Sequence, residues 1–119
     1  MRTVRKAPFL LLLALLLSGL ALLAAGPGFR SSQQFNEHYQ KHGREFGAIT
    51  QAEYLRLAQE LRDAPVGGPI LEAIKPGGVI SRFDRRKGYF GAYNRDRTIR
   101  TFFKPNDGER YFHRQAERP

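Results

Sequence analysis

Three histidines, one carboxylate beside them and a dense run of arginines are the residues of this chain whose types suit chemistry on a phosphate ester. His38, His42 and His113 are proton carriers, and Glu45 is a carboxylate base. Arg82, Arg100 and Lys104 supply fixed positive charge, while Thr101 and Tyr111 supply hydroxyls that orient an anion. Cleavage of an RNA chain by its own 2′-hydroxyl needs this set: a base for that proton, an acid for the departing 5′-oxygen, and cations for the charge growing on the phosphate. No metal is required by that route. His38 and His42 also stand four apart, so on a helix they share a face that zinc could use, with Glu45 or His113 as third ligand. The metalloprotease form of that motif wants Glu after the first His, and Tyr39 occupies the position.

The composition removes other chemistries. The 119 residues contain no cysteine, which excludes a disulfide framework, a thiolate zinc site, an iron–sulfur cluster and a cysteine nucleophile. A Walker loop, a dinucleotide glycine motif and a GxSxG nucleophile are missing as well. The net charge of +9 is unevenly placed. Residues 30 to 63 balance five bases against five acids, whereas residues 75 to 104 hold nine bases against Asp84 and Asp96. A cationic block of that density suits a polyanion, because each phosphate it neutralises releases counterions. Read without function, the same block is a solvated cationic face.

The elements that must position these residues begin after an apolar leader. Arg2, Arg5 and Lys6 precede an uncharged Leu- and Ala-rich run, so residues 1–28 read as a signal peptide or an N-terminal membrane anchor. Residues 7–26 would make the membrane contact, and the chain is expected outside the cytoplasm, secreted or periplasmic, or else held in the inner membrane. The remaining 29–119 form one small domain.

Ser31 with Gln34 starts a first helix over about residues 32 to 43, carrying Phe35, Tyr39 and His42 on one stripe. Thr50 with Glu53 starts a second, to about Arg62. The stretch from Ile70 to Lys75 is too short to assign and fits a single helical turn. After Pro76-Gly77-Gly78 the period becomes strand-like over Val79 to Asp84, Tyr89 to Tyr93 and Thr98 to Lys104, an antiparallel meander. Strict alternation puts Ile99, Thr101 and Phe103 on one face, and one sheet face is left free to carry Arg and Lys. Tyr111-Phe112-His113 fits a short strand or a helical turn. The expected fold is α+β, with two N-terminal helices packed on an antiparallel sheet of three to four strands.

The stretch from His38 to Gly47, with Thr50, Glu53-Tyr54-Leu55 and Ala58, resembles the KHGxEFG opening of small nuclease domains at the ends of bacterial polymorphic toxins. Arg82-Phe83-Asp84, Tyr89-Phe90-Gly91, the run from Thr98 to Pro105, and Gly108 with Tyr111-Phe112 resemble the strand block of the same domains, in the same order. These domains are similar to the barnase, EndoU, colicin D and RelE group of metal-independent ribonucleases. The resemblance implies a helical part on an antiparallel sheet, RNA cleavage leaving a cyclic phosphate, no cofactor, and a dedicated immunity protein. Carried over by position, it implies a site of His42, Arg82, Thr101, Lys104 and Tyr111. The chemistry of the residues themselves adds Arg100, Glu45 and His113 as substrate contacts.

The expectation is therefore an exported, monomeric endoribonuclease of toxin-like type, with RNA as substrate and an acidic inhibitor protein as partner. The alternatives are a non-catalytic basic module that retains nucleic acid, and an envelope protein whose arginines meet anionic lipid.

Overall fold

A computed structural model describes residues 26–119, so the leader expected over residues 1–28 lies almost wholly outside the described residues. The domain is α+β. Helix α1 (Ser32–His42) runs into a 3₁₀ turn (Gly43–Phe46), followed by α2 (Gln51–Asp63). Strands β1 (Ile70–Ile74), β2 (Ile80–Asp84), β3 (Tyr89–Tyr93) and β4 (Ile99–Phe103) come next, and α3 (Glu109–Glu117) closes the chain. The strands pair antiparallel in the order β1-β2-β3-β4, each joined to its neighbour by a short turn. Among the described residues no helix is long and apolar enough to cross a membrane.

Both N-terminal helices begin at the caps read from sequence. The Ser31 side chain accepts from the Gln34 amide at 3.1 Å, which satisfies one of the donors a helix start leaves unpaired. At α2 the reciprocal box is complete: Thr50 accepts from the Glu53 amide, and Glu53 accepts from the Thr50 amide.

Three expectations are corrected. Residues 70–74 are a strand, not a helical turn, because every residue from Ile70 to Ile74 pairs with β2. Residues 109–117 are a full helix rather than a strand or a single turn, so the helices do not all precede the sheet. As a consequence neither sheet face is left bare. Tyr54, Ala58 and Leu61 of α2 bury against Ile70, Tyr93, Ile99 and Phe102 on one face. Phe112 of α3 buries against Phe83, Phe90 and Ala92 on the other. A small domain has little apolar surface to spare, and covering both sides of one sheet uses nearly all of it.

The third correction concerns β4. Ala92 pairs with Thr101, but Tyr93 pairs with Ile99, so Arg100 is an extra residue in the ladder. This β-bulge breaks the alternation. Ile99 joins Phe102 under α2, while Thr101 and Phe103 face the opposite side. The hydroxyls of Tyr54 and Tyr93 tie α2 to the sheet by donating to the Phe102 carbonyl and, at 2.7 Å, to the Ala58 carbonyl. Burial pushes both phenols well above their ordinary range, as befits buried hydrogen-bond donors.

Arg82 belongs to this scaffold. Its side chain is 10 % exposed, lies under α2, and donates to the carbonyls of Leu61 and Ala64 at the end of that helix. Glu72 on β1 receives the other edge of the guanidinium, with nitrogen–oxygen distances of 2.9 and 2.6 Å. A cation here complements the negative end of α2 and satisfies carbonyls that have no partner within the helix. Removing one side of a buried ion pair costs about 3 to 5 kcal/mol. The Glu72 side chain retains 21 % exposure, and water relieves part of that cost. Arg82→Ala is expected to lower stability by about 2 to 3 kcal/mol, read from the urea midpoint.

Candidate active site

The histidines of α1 open onto an open pocket of about 460 Å³ above edge strand β4. Helical spacing sets Glu37, His38, Lys41 and His42 on one stripe of α1, and this stripe forms one wall. Thr101 and Phe103 of β4 form the floor, and Tyr111 of α3 completes the rim. The two imidazole rings are 6.1 Å apart between centroids.

Each ring is held by a different set of contacts. His42 stacks on Phe103 at 5.0 Å, and Phe103 meets Tyr111 edge-on at 5.2 Å. The Nδ1 of His42 lies 2.8 Å from Glu45 Oε2. The other oxygen of Glu45 accepts from the backbone N–H of Lys104 at 2.9 Å. A carboxylate accepts only, so His42 carries its hydrogen on Nδ1 and presents a free Nε2. His38 stacks on Phe29 at 5.1 Å, and its Nδ1 lies 3.5 Å from the Thr101 hydroxyl.

The 3₁₀ turn is what brings Glu45 back beneath His42. It starts at Gly43, which is buried against the ring of Tyr39; a Cβ there would lie 2.7 Å from two ring carbons. Gly43 thus serves close approach of ring to backbone, and the helix tightens as it ends.

Of the residues read from sequence, His42, Glu45, Thr101 and Tyr111 come together. Arg82 does not: it sits under α2 on the opposite sheet face, its donors consumed by Glu72 and two carbonyls. Lys104 contributes its backbone N–H, while its ammonium lies 5.9 Å from the Tyr89 ring centroid on the α2 side. The ammonium and Arg82 are the phosphate clamps expected at His42, and ordinary strand alternation turns both to the α2 face, away from Thr101 and Phe103. Arg100 is thrown out of the ladder into a separate cleft. His113 sits on the exposed side of α3 and pairs with Glu109 at 3.0 Å. Arg85 is the first cause, and His113 the second, that holds the Glu109 carboxyl down to about 2.

The pocket also contains residues that the expected site omitted. His38 precedes His42 by one helical turn, and Lys41 follows His38 by three; that spacing was the signal for both. Phe103 supplies the stacking platform for His42. Among the described residues no group of three or more His, Asp or Glu side chains converges as a metal site. The second oxygen of Glu45 is spent on a backbone N–H, and His113 is on another surface. The sequence matches no protein-family model, and no curated protein is significantly similar to it.

Burial holds the His38 imidazole below its ordinary value of 6.5, with the neighbouring charges of His42 and Lys41 acting in the same direction against Glu37. The folded chain therefore refuses a proton that the unfolded chain accepts, in the window between the lowered value and 6.5. Stability falls as pH is brought down through that window and levels off below it. In His38→Gln this loss disappears. Urea midpoints at pH 7.5 and 5 are expected to differ less for the variant than for the parent.

Proposed function

We propose that this domain is a metal-independent endoribonuclease that cleaves RNA by attack of the 2′-hydroxyl on the adjacent phosphate. The observation that carries the reading is the pair of imidazoles facing one pocket, only one of which is backed by a carboxylate. Such a pair divides acid from base. His38, kept neutral by burial and by its cationic neighbours, takes the 2′-hydroxyl proton. His42, with its Nδ1–H fixed on Glu45, acts in the doubly protonated form and delivers the proton of Nε2 to the departing 5′-oxygen. The bond from the 2′-oxygen to phosphorus forms as the bond to the 5′-oxygen breaks, leaving a 2′,3′-cyclic phosphate and a free 5′-hydroxyl.

Lys41 is the cation on the pocket wall, and the hydroxyls of Thr101 and Tyr111 are the neutral donors beside it. Together they oppose the charge that grows on the non-bridging oxygens. The resemblance to the toxin nuclease domains supports the same chemistry with a different clamp, since Arg82 is not at the pocket. An acidic inhibitor protein and an exported, monomeric existence belong to this proposal as well.

Incubating the purified full-length chain with RNA in EDTA tests the reading. RNA fragments with cyclic phosphate ends are expected, and retention of RNA without scission would refute it. General acid–base catalysis supplies about 10² to 10⁴ in rate. His42→Ala and His38→Ala should each lose turnover of about that order while keeping the far-ultraviolet spectrum of the parent. Glu45→Gln should lower kcat with little change in KM, because it misorients His42 without touching the substrate.

A further inference from the structure

A second cleft, also of about 460 Å³, is lined by three arginines, Arg30, Arg95 and Arg100. We infer that this cleft binds the phosphate next to the scissile one, so that the enzyme engages RNA through at least two consecutive phosphodiesters. The inference rests on the ribonuclease reading for the identity of the anion.

Each guanidinium is placed by a separate device. Arg100 is the bulged residue of β4, and its Nη1 donates at 2.9 Å to Oδ1 of Asn94, a side chain of the buried residue that opens the β3–β4 turn. The stem of Arg95 packs along Gly78. A Cβ at that glycine, whose φ is +90°, would lie 3.1 to 3.2 Å from three Arg95 carbons. Arg30 lies 3.6 Å from Asp96, which is itself engaged by the Thr98 hydroxyl and amide. Three cations thus face one carboxylate, and among the described residues neither Arg95 nor Arg100 has a carboxylate partner. Unpaired guanidiniums fixed around an open cleft suit the paired oxygens of a phosphate.

The connection to the histidine pocket is covalent and double. Thr101 contacts His38 while the preceding residue, Arg100, lines the cationic cleft. Phe29 stacks on His38 while the following residue, Arg30, lines the same cleft. Residues adjacent in sequence have Cα atoms about 3.8 Å apart. One segment therefore gives Thr101 to the pocket and Arg100 to the cleft, and the other sets Phe29 against His38 and gives Arg30 to the cleft. They are also tied to each other, since Phe29 bridges Ile99 and the Ile99 amide donates to the Gly28 carbonyl at 2.9 Å. The arginines of the cleft thus follow directly in sequence on residues that touch His38, an arrangement that suits a continuous strand of phosphates better than an isolated headgroup.

The test compares the full-length parent with Arg95→Ala/Arg100→Ala on two substrates, a dinucleotide with one phosphodiester and a tetranucleotide with three. The parent is expected to prefer the tetranucleotide in kcat/KM. The double variant should lose that preference by about tenfold or more, the size of a lost charge-assisted contact, with dinucleotide cleavage unchanged. Unchanged dinucleotide cleavage also shows that the variant is folded. An equal loss on both substrates, or no loss on either, overturns the inference. Binding of a non-cleavable 2′-deoxy tetranucleotide across a salt series gives a reading independent of catalysis. Its log–log slope should shrink by about 0.7 in the variant if one phosphate contact is lost. If the parent cuts no RNA yet this slope changes as expected, the phosphate subsite stands and the ribonuclease reading falls. If the parent cuts RNA but the slope is unaltered, the subsite falls alone. Displacement of the oligonucleotide by glycerol phosphate, at concentrations where inorganic phosphate has no effect, would assign the cleft to a lipid headgroup and overturn it.

Discussion

The contact on which the site depends is the carboxylate of Glu45, shared between an imidazole and a backbone amide. One oxygen receives Nδ1 of His42 and the other receives the N–H of Lys104, so the end of α1 is fastened to the end of β4. Without the amide the carboxylate would be free to rotate, and without the carboxylate the ring would choose its own tautomer. The same carboxylate makes β4 answer to α1 in a second way. Phe103, directly before Lys104, is the surface on which His42 stacks. Ring plane, ring tautomer and the distance between helix and strand are thereby set by one short loop of sequence, from His42 to Phe46.

The bulge at Arg100 is the complementary constraint. In a regular strand, Ile99 and Thr101 would share a face, and the apolar requirement of the core under α2 would conflict with the polar requirement of the pocket. One extra residue resolves the conflict by letting Ile99 bury completely while Thr101 turns toward His38. The residue in excess has no place in the ladder, and its side chain is driven to the surface beside Arg95. The irregularity that separates core from pocket also creates the cationic cleft. Both follow from fitting five residues of β4 against four of β3.

What could be read from sequence divides along this line between local and non-local interactions. The starts of α1 and α2 were legible because a cap is a contact between residues three apart, and Ser31, Thr50 and Glu53 declare it. Strands β2 and β3 were legible for a similar reason, since aromatic and β-branched residues between turns carry their own signal. Strand β1 was not, because five residues without alternation become a strand only on meeting β2. Helix α3 was not, since its start at Gly108 has no side-chain cap and its apolar positions acquire meaning only against Phe83 and Phe90. The bulge left no mark at all in the pattern of Thr98 to Lys104. That omission put Ile99 on the wrong face, and dependence on packing hid the burial of Arg82. His42, Glu45, Thr101 and Tyr111 lie together in the fold, whereas Arg82 and the Lys104 ammonium, read from sequence as part of the same site, do not.

The cationic block of residues 75 to 104 also changes meaning once its members are placed. Its high charge density invited a reading as one clamp on a polyanion. Arg82 instead closes the C-terminal end of α2, Arg97 pairs with Asp63 on that helix, and Arg85 pairs with Glu109 of α3. Lys87 and Lys104 both lie over the Tyr89 ring, 5.8 and 5.9 Å from its centroid. Three arginines are thus engaged in joining helices to the sheet, alongside the apolar contacts and the hydroxyls of Tyr54 and Tyr93. Such pairs add little stability where they are exposed, yet they fix how each helix sits. The cations left over for a ligand are fewer than the composition suggested, and they border the histidines rather than surround them. Specific recognition of a phosphate needs a few guanidiniums held in position, and total charge is a poor measure of that.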